Sequence, residues 1–313
     1  MDELSFSYNV KAEIIDKINS THKADACLMG LLCCCNELSD KNILFLTENV
    51  QVKDFFVRNV CRILGDEDTV NVNSAERKGG VTLYSLTVPD KEQRIYLLDY
   101  FGMDESRRLT EEYLPKDKYF PQLAAGIFLA CGSVNDPNKK YHMEFVMPTL
   151  DLCNDFGLLL IERHGIIPKH VERKGAQIMY IKESENIIDM LTLMGATMSS
   201  IELMHVKMEK DMRNKINRAM NCDNANIDKT IRAAERQIAD IELIEQTMGL
   251  SSLPDNLREI AEIRLENPDY NLKQLGEELS PPISRSGANH RLQKLSEIAE
   301  EIRRKKEHER SLS

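Results

Sequence analysis

The chain has 313 residues, a formal net charge of −10, no Trp and 6% aromatic residues. That length allows two or three domains, and the shortage of aromatics leaves Leu, Ile, Met and Ala to build a helix-rich core. The acidity excludes a protein that coats nucleic acid indiscriminately, so any DNA affinity must come from a local basic patch.

The first residues, Met1-Asp2-Glu3, are acidic and lack an apolar segment, so export is not expected. No apolar run reaches bilayer-spanning length, which predicts no membrane association. Eight cysteines include the consecutive Cys33, Cys34 and Cys35, but no C-x-x-C pair, so zinc-finger spacing is missing. They read as reduced, mostly buried cytoplasmic thiols. No metal and no cofactor are expected.

The first two-thirds of the chain repeats itself. Residues 25–38 read DACLMGLLCCCNEL and residues 122–135 read QLAAGIFLACGSVN. Gly30 aligns with Gly126 and Cys35 with Cys131, both at an offset of 96, and ERKG recurs at 76–79 and 172–175 with that same offset. Two coincidences at one offset indicate duplication.

Each repeat (about 22–103 and 120–198) scans as αβαβα. A small-residue lead helix is followed by a strand (Ile43 to Thr47; Tyr141 to Met147). A helix comes next (Val52 to Leu64; Leu150 to Glu162), then a strand after ERKG (81–86; 177–181). A closing helix ends the unit (Lys91 to Phe101; Ser184 to Met194). Gly30, Gly126, Ala125 and Ala130 would let the lead helices approach closely.

The lead helices, most clearly AAGIFLACG at 124–132, resemble the paired LAGLIDADG helices of homing endonucleases. The resemblance implies two helices packed at a pseudo-two-fold axis, each ending in an acidic residue that holds a catalytic divalent metal beside DNA. Those motif positions are Cys35 and Cys131 here, and the final glycine is Asn36 in the first copy and Gly132 in the second. Thiols are poor ligands for a hard cation, so the metal positions read as degenerate and catalytic residues as absent. Glu37 and Asp136 lie near, displaced past the motif by different amounts. A metal-dependent endonuclease is therefore the disfavoured alternative.

A degenerate LAGLIDADG domain over 1–205 is thus expected, then a linker over 206–226, then a helical domain over 227–313. Residues 207–236 hold eight Lys or Arg against five Asp or Glu. Arg213, Lys215, Arg218, Lys229 and Arg232 could meet DNA phosphates, or could simply be a solvated face. Asn-rich MNCDNAN at 220–226 reads as a break. Ile227, Ile231, Ala234, Ile238 and Ile241 then make a helical stripe. A further helix, LREIAEIRLENP, ends near Asn267-Pro268.

Residues 271–304 read as a helix-turn-helix. Asn271 caps the first helix with Gln274 three residues on, as in a capping box. Ser280-Pro281-Pro282 stops it. Ser284 can cap the second helix, whose inward face is Ala288, Leu292, Leu295, Ala299 and Ile302. Its other face offers Arg285, Ser286, Asn289, His290, Arg291 and Lys294, with no acid in 284–294. Arg can fork onto guanine and Asn onto adenine, while Ser hydroxyls and Lys hold phosphates. Asn271 and Lys273 stand at the start of the first helix, and Gly287 lacks a side chain where a backbone could approach. Double-stranded DNA is the expected partner.

ISRSGANHRL at 283–292 resembles the recognition helix of sigma-factor region 4. The degenerate repeat, the block KDMRNKINRAMNCDNANIDKT, LREIAEIRLENP and PPISRSGANHRL together resemble the WhiA family over essentially the whole chain. The fold class so implied is α+β: a duplicated LAGLIDADG-like domain followed by an all-α helix-turn-helix domain. The resemblance implies a transcription regulator of cell division, chromosome segregation and, in spore formers, sporulation. It implies no enzymatic activity and a nucleoid location in the cytoplasm. In actinobacterial relatives it also implies a WhiB-type protein partner. No heptad seam stands out, so a monomer is expected. A scaffold that uses the repeat domain for protein contact is a third reading, since its strands carry few cations beyond Lys41, Lys139 and Lys140.

Overall fold

The structure, a computed structural model, describes residues 5–77, 80–110, 114 and 116–312, with side chains to His308. Met1 to Glu3, and Lys78 and Gly79 of the first ERKG, lie outside the described residues. The chain divides into two compact units, Met1–Asp211 and Met212–Ser313.

In the first unit, helix α1 (Phe6–Asp16) precedes the repeat. The first copy is α2 (Thr21–Cys33), β1 (Glu37–Leu38), β2 (Ile43–Thr47), α3 (Val50–Leu64), β3 (Asn71–Glu76), β4 (Thr82–Thr87) and α4 (Lys91–Phe101). The second is α5 (Phe120–Cys131), β5 (Gly132–Val134), β6 (Met143–Met147), α6 (Leu150–His164), β7 (Lys169–Arg173), β8 (Ala176–Ile181) and α7 (Ser184–Met194). The α+β class and the duplication hold. Each copy carries an extra strand beside each expected one, so the unit is αββαββα. The sheets are antiparallel, ordered β1-β2-β4-β3 and β5-β6-β8-β7.

The second ERKG is the turn of a hairpin. Arg173 pairs with Ala176, and Lys174 (φ 51°) and Gly175 (φ 78°) between them both adopt the left-handed region. A two-residue turn with two positive φ angles matches the right-handed twist of the flanking strands.

The lead helices pack at the centre by backbone contact. A Cβ on Gly30 would sit 2.1 Å from Leu123 O, and one on Gly126 would sit 1.9 Å from Cys27 O. Since 27 and 123 differ by the repeat offset, the two contacts are related by the pseudo-two-fold axis. Cys27, Leu28, Leu31, Leu123, Ile127 and Phe128 around them are fully buried.

Helix α8 (Thr197–Met248) begins in the first unit, where Glu13 of α1 accepts from Met198 N (2.6 Å), Ser199 N (3.0 Å) and Ser199 Oγ (2.7 Å). A carboxylate there satisfies free helix-start N–H groups and complements the dipole. Lys210 Nζ then donates to Pro137 O (2.7 Å) and Lys139 O (2.9 Å). The expected break at 220–226 is corrected, because the helix runs through it. No Gly or Pro occurs between Thr197 and Met248. Asn alone costs a helix only about 0.7 kcal/mol per residue against Ala.

The second unit packs α9 (Asp255–Glu266), α10 (Leu272–Glu278) and α11 (Arg285–Leu312) against the end of α8. Buried Asp240 of α8 accepts from Ser296 Oγ and Arg303 Nη2 of α11, both at 2.6 Å. Of the expected stripe, Ala234 and Ile241 are buried and Ile238 half-buried, whereas Ile227 and Ile231 are exposed. Among the described residues no helix is long and apolar enough to cross a membrane.

Candidate nucleic-acid interface

The expected helix-turn-helix is α10, a connection, and α11. Asn271 Oδ1 accepts from Lys273 N (2.9 Å) and Gln274 N (3.1 Å), while Gln274 Oε1 accepts from Asn271 N (2.9 Å). This capping box satisfies helix-start donors reciprocally and fixes where α10 begins. After Leu279 the chain turns, and Ser280 N donates to Glu259 Oε1 of α9 at 2.8 Å. Ile283 N returns to Gly276 O at 2.8 Å. A Cβ on Gly276 would lie 2.4 Å from Ile283 O, so only glycine allows that return. Sequence reasoning missed Gly276; a glycine in mid-helix without a capping role was the available signal.

Ser284 Oγ accepts from Gly287 N at 3.2 Å and caps α11. Ala288, Leu292, Leu295, Ala299 and Ile302 are all buried against α9 and α10, as the apolar spacing required. That burial fixes which face of α11 looks outward. Ser284, Arg285, Ser286, His290 and Lys294 are exposed on it, and Asn289 is half-buried beside Arg285. Lys273 is exposed and 3.5 Å from Glu277. Gly287 is half-buried, and a Cβ there would meet the Ile283 side chain, at 3.3 Å from Cδ1 and 3.4 Å from Cβ, but no backbone atom. Packing therefore makes only a weak demand for glycine at 287.

Arg291 is placed differently from the expectation. Its Nη1 donates to Asn256 O of α9 at 3.2 Å and lies 4.0 Å from Glu259 Oε2. It flanks the buried stripe, where α9 supplies a carbonyl and a carboxylate, so its guanidinium braces the domain instead of joining the outward set. Arg213, Lys215, Arg218, Lys229 and Arg232 are all exposed on α8. Lys229 lines a cleft of about 500 Å3 with Arg264, Lys273, Arg285, Asn271 and Asn289. No carboxylate is among its described lining residues, and Lys229, Lys273 and Arg285 are the exposed cations on it.

The ends of the lead helices depart from the motif alignment. Helix α5 runs to Cys131, but α2 stops at Cys33 and Cys34 is its C-cap. Cys35 is turned into the core, fully buried, and Arg107 Nη1 donates to its carbonyl at 2.5 Å. Of the two motif positions only Cys131 reaches the cleft, and the sulfur facing it is that of Cys34, with the two Sγ atoms 3.5 Å apart. Burial pushes the thiols of Cys27 and Cys35 up, and that of Cys33 to about 12. Arg107 Nη1 also donates to Cys33 O, the last carbonyl of α2, at 3.3 Å, and this residue was also missed.

A LAGLIDADG fold implies a divalent cation at these helix ends, and the residues present do not fit one. Neutral sulfur is a poor ligand for magnesium. The surrounding cleft of about 960 Å3 has one carboxylate among its described lining residues, Glu48, ion-paired with Arg77 at 3.0 Å. Glu37 accepts from Asn42 Nδ2 (2.8 Å) and Asp136 from Asn138 N (2.8 Å), and neither lines the cleft. Among the described residues no group of three or more His, Cys, Asp or Glu is placed to hold a metal ion.

Comparison with known proteins agrees with this architecture. Family models described as the WhiA LAGLIDADG-like domain and the WhiA C-terminal HTH domain match residues 120–213 and 216–299. "Probable cell division protein WhiA" of Clostridium perfringens is 39% identical over 320 residues, covering 96% of this chain and 99% of that protein. The chain belongs to the WhiA family. The protein of the same name from Clostridium tetani is 36% identical, across 96% of this chain and 98% of its own length. The crystal structure of full-length WhiA from Thermatoga maritima aligns with a TM-score of 0.57 at 23% identity. It covers 95% of this chain and 99% of that one, and shows that the fold is shared. The helix-turn-helix thus stands in a WhiA C-terminal domain, and the duplicated unit in its LAGLIDADG-like domain.

Proposed function

We propose that this WhiA-family chain is a sequence-specific double-stranded DNA-binding regulator of transcription without enzymatic activity. The observation that carries the reading is the outward face of α11. Arg285, Ser286, His290 and Lys294 project from a helix whose opposite face is buried, beside half-buried Asn289. Arg285 and Asn289 are the base-reading candidates. Ser284, Ser286, His290, Lys294, Asn271 and Lys273 are the phosphate-holding set, and Gly287 leaves room for a sugar-phosphate strand. Arg213, Lys215, Arg218, Lys229 and Arg232 on α8 add phosphate contacts. The relatives' name supports a role in cell division. Chromosome segregation, sporulation in spore formers, a nucleoid location, a monomeric state and a WhiB-type partner in actinobacterial relatives are finer parts of the same reading.

The test is selection of bound duplexes from a random pool by the full-length chain, followed by titration at several salt concentrations. The proposal expects one enriched motif and affinity that falls steeply with salt as phosphate contacts are screened. No enriched motif would overturn it. The alternative, a metal-dependent nuclease, is favoured only by the fold. Nicking of the selected duplex in magnesium or manganese, lost on Glu37→Gln or Asp136→Asn, would establish it.

A further inference from the structure

Two features of the central cleft have no part in DNA reading. The sulfurs of Cys34 and Cys131, one from each repeat, are 3.5 Å apart, the closeness of two thiols in contact. The sulfur of Cys131 also lies 3.3 Å from Ile127 O and 3.8 Å from Met147 Sδ, so it is held in place. Both cysteines line the cleft of about 960 Å3. Cys131 is half-buried, whereas Cys33 and Cys35 are almost wholly enclosed.

We propose that Cys34 and Cys131 are an oxidation site, at which a hydroperoxide joins the two lead helices by a disulfide. The cleft admits a small peroxide to Cys131. The Cys131 thiolate attacks one peroxide oxygen, the O–O bond breaks, and hydroxide leaves; the product is a sulfenic acid. Cys34 then attacks that sulfur. The S–S bond forms, the S–O bond breaks, and the hydroxyl leaves with the Cys34 proton as water. Two thiols and one hydrogen peroxide give one disulfide and two waters. Each sulfur is oxidised by one electron, and both peroxide oxygens are reduced.

The order of attack follows from the surroundings. Cys131 is the more exposed of the two sulfurs and lines the cleft through which the peroxide arrives. Cys34 is more deeply buried, and its hydrogen bond with Cys131 together with that burial pushes its thiol well up. Cys131 is therefore the attacking residue and Cys34 the resolving one. Closing 3.5 Å to a bond of about 2.05 Å requires the two side chains to turn toward each other. The helix backbones are already locked by Gly30 and Gly126, so they need not move far.

The test uses the full-length chain carrying C61S and C222S, which removes the exposed thiol and the other half-buried one. Hydrogen peroxide is added, free thiols are alkylated, and the intact mass and non-reduced peptides are read. The expected result is a loss of about 2 Da, one linked peptide pair joining 24–41 to the Cys131 peptide, and full reversal by a dithiol reductant. C34S should abolish the link and leave a Cys131 sulfenic acid that a dimedone probe captures. C33S and C35S should leave the link intact, which separates the assigned pair from its neighbours without relying on one variant to fold. A link that survives C34S, or Cys131 gaining only oxygen in the parent chain, would overturn the proposal. So would a peroxide-treated parent with every thiol still reactive.

Discussion

Replacing Gly126 by alanine tests whether the two repeats are joined by helix-to-helix backbone contact. The added Cβ would lie 1.9 Å from Cys27 O, 2.8 Å from its carbonyl carbon and 2.9 Å from Leu31 N. Ordinary contact is about 3.5–4.0 Å, and the obstacles are backbone atoms that cannot rotate aside. The helices must therefore part by more than about 1 Å, and a gap of that size forfeits up to about half of each contact energy. Cys27, Leu28, Leu31, Leu123 and Ile127 all sit at 0% exposure along this seam, so the loss spreads over the most buried part of the unit. Overpacking typically costs about 1–3 kcal/mol, and this site belongs at or above the upper end. Better helix propensity returns at most about 1 kcal/mol. The net expectation is a destabilisation of about 2 kcal/mol or more. Urea unfolding followed by circular dichroism measures it, the chain having no Trp to report by fluorescence. Gly287→Ala is the comparison: its Cβ meets no backbone atom, only the Ile283 side chain at 3.3–3.6 Å, so it should cost far less stability than Gly126→Ala. A Gly126→Ala chain within about 0.5 kcal/mol of wild type would refute the packing argument.

Further expectations follow from the second unit and from the buried thiols. Asn271→Ala removes both acceptor bonds of the capping box and should cost about 0.5–2 kcal/mol in the unfolding of that domain; no change would mean the cap does not set α10. Arg291→Ala should lower stability by about 1 kcal/mol while leaving the selected DNA motif unchanged, because its partners are Asn256 and Glu259. An altered motif would return Arg291 to the reading face. Burial raises the thiols of Cys27, Cys33 and Cys35, and the hydrogen bond with Cys131 together with burial raises that of Cys34. The folded chain therefore keeps protons that the unfolded chain releases above the ordinary thiol value, and stability should fall as pH rises from about 9. Urea midpoints in a reductant that do not decline between about pH 8.5 and 10 would contradict this.

Legibility differed by element for physical reasons. The lead helices could be read because close helix packing demands glycine, and Gly30 and Gly126 recur at one offset. Both termini of the helix-turn-helix were legible because caps are local chemistry: Asn271 with Gln274, and Ser284 ahead of α11. Strands β3 and β7 were missed because every residue of both is exposed, which leaves no alternation to detect. The helix through 220–226 was missed because a polar, Asn-rich stretch looks like a loop unless the absence of Gly and Pro is weighed against it. That Cys34 faces Cys131 was not legible because the two lead helices end at different motif positions, a termination that no single-sequence pattern records. Arg291 sits among cations on the helix but is claimed by α9, a contact between residues 35 positions apart.

The most direct test measures the affinity of Arg285→Ala and Asn289→Ala chains for the selected duplex and for duplexes changed one base pair at a time. If α11 reads DNA, each variant should keep its fold, lose about 1–3 kcal/mol on the selected duplex, and become indifferent to one base pair. Unchanged affinity and unchanged base preference in both variants would contradict that reading.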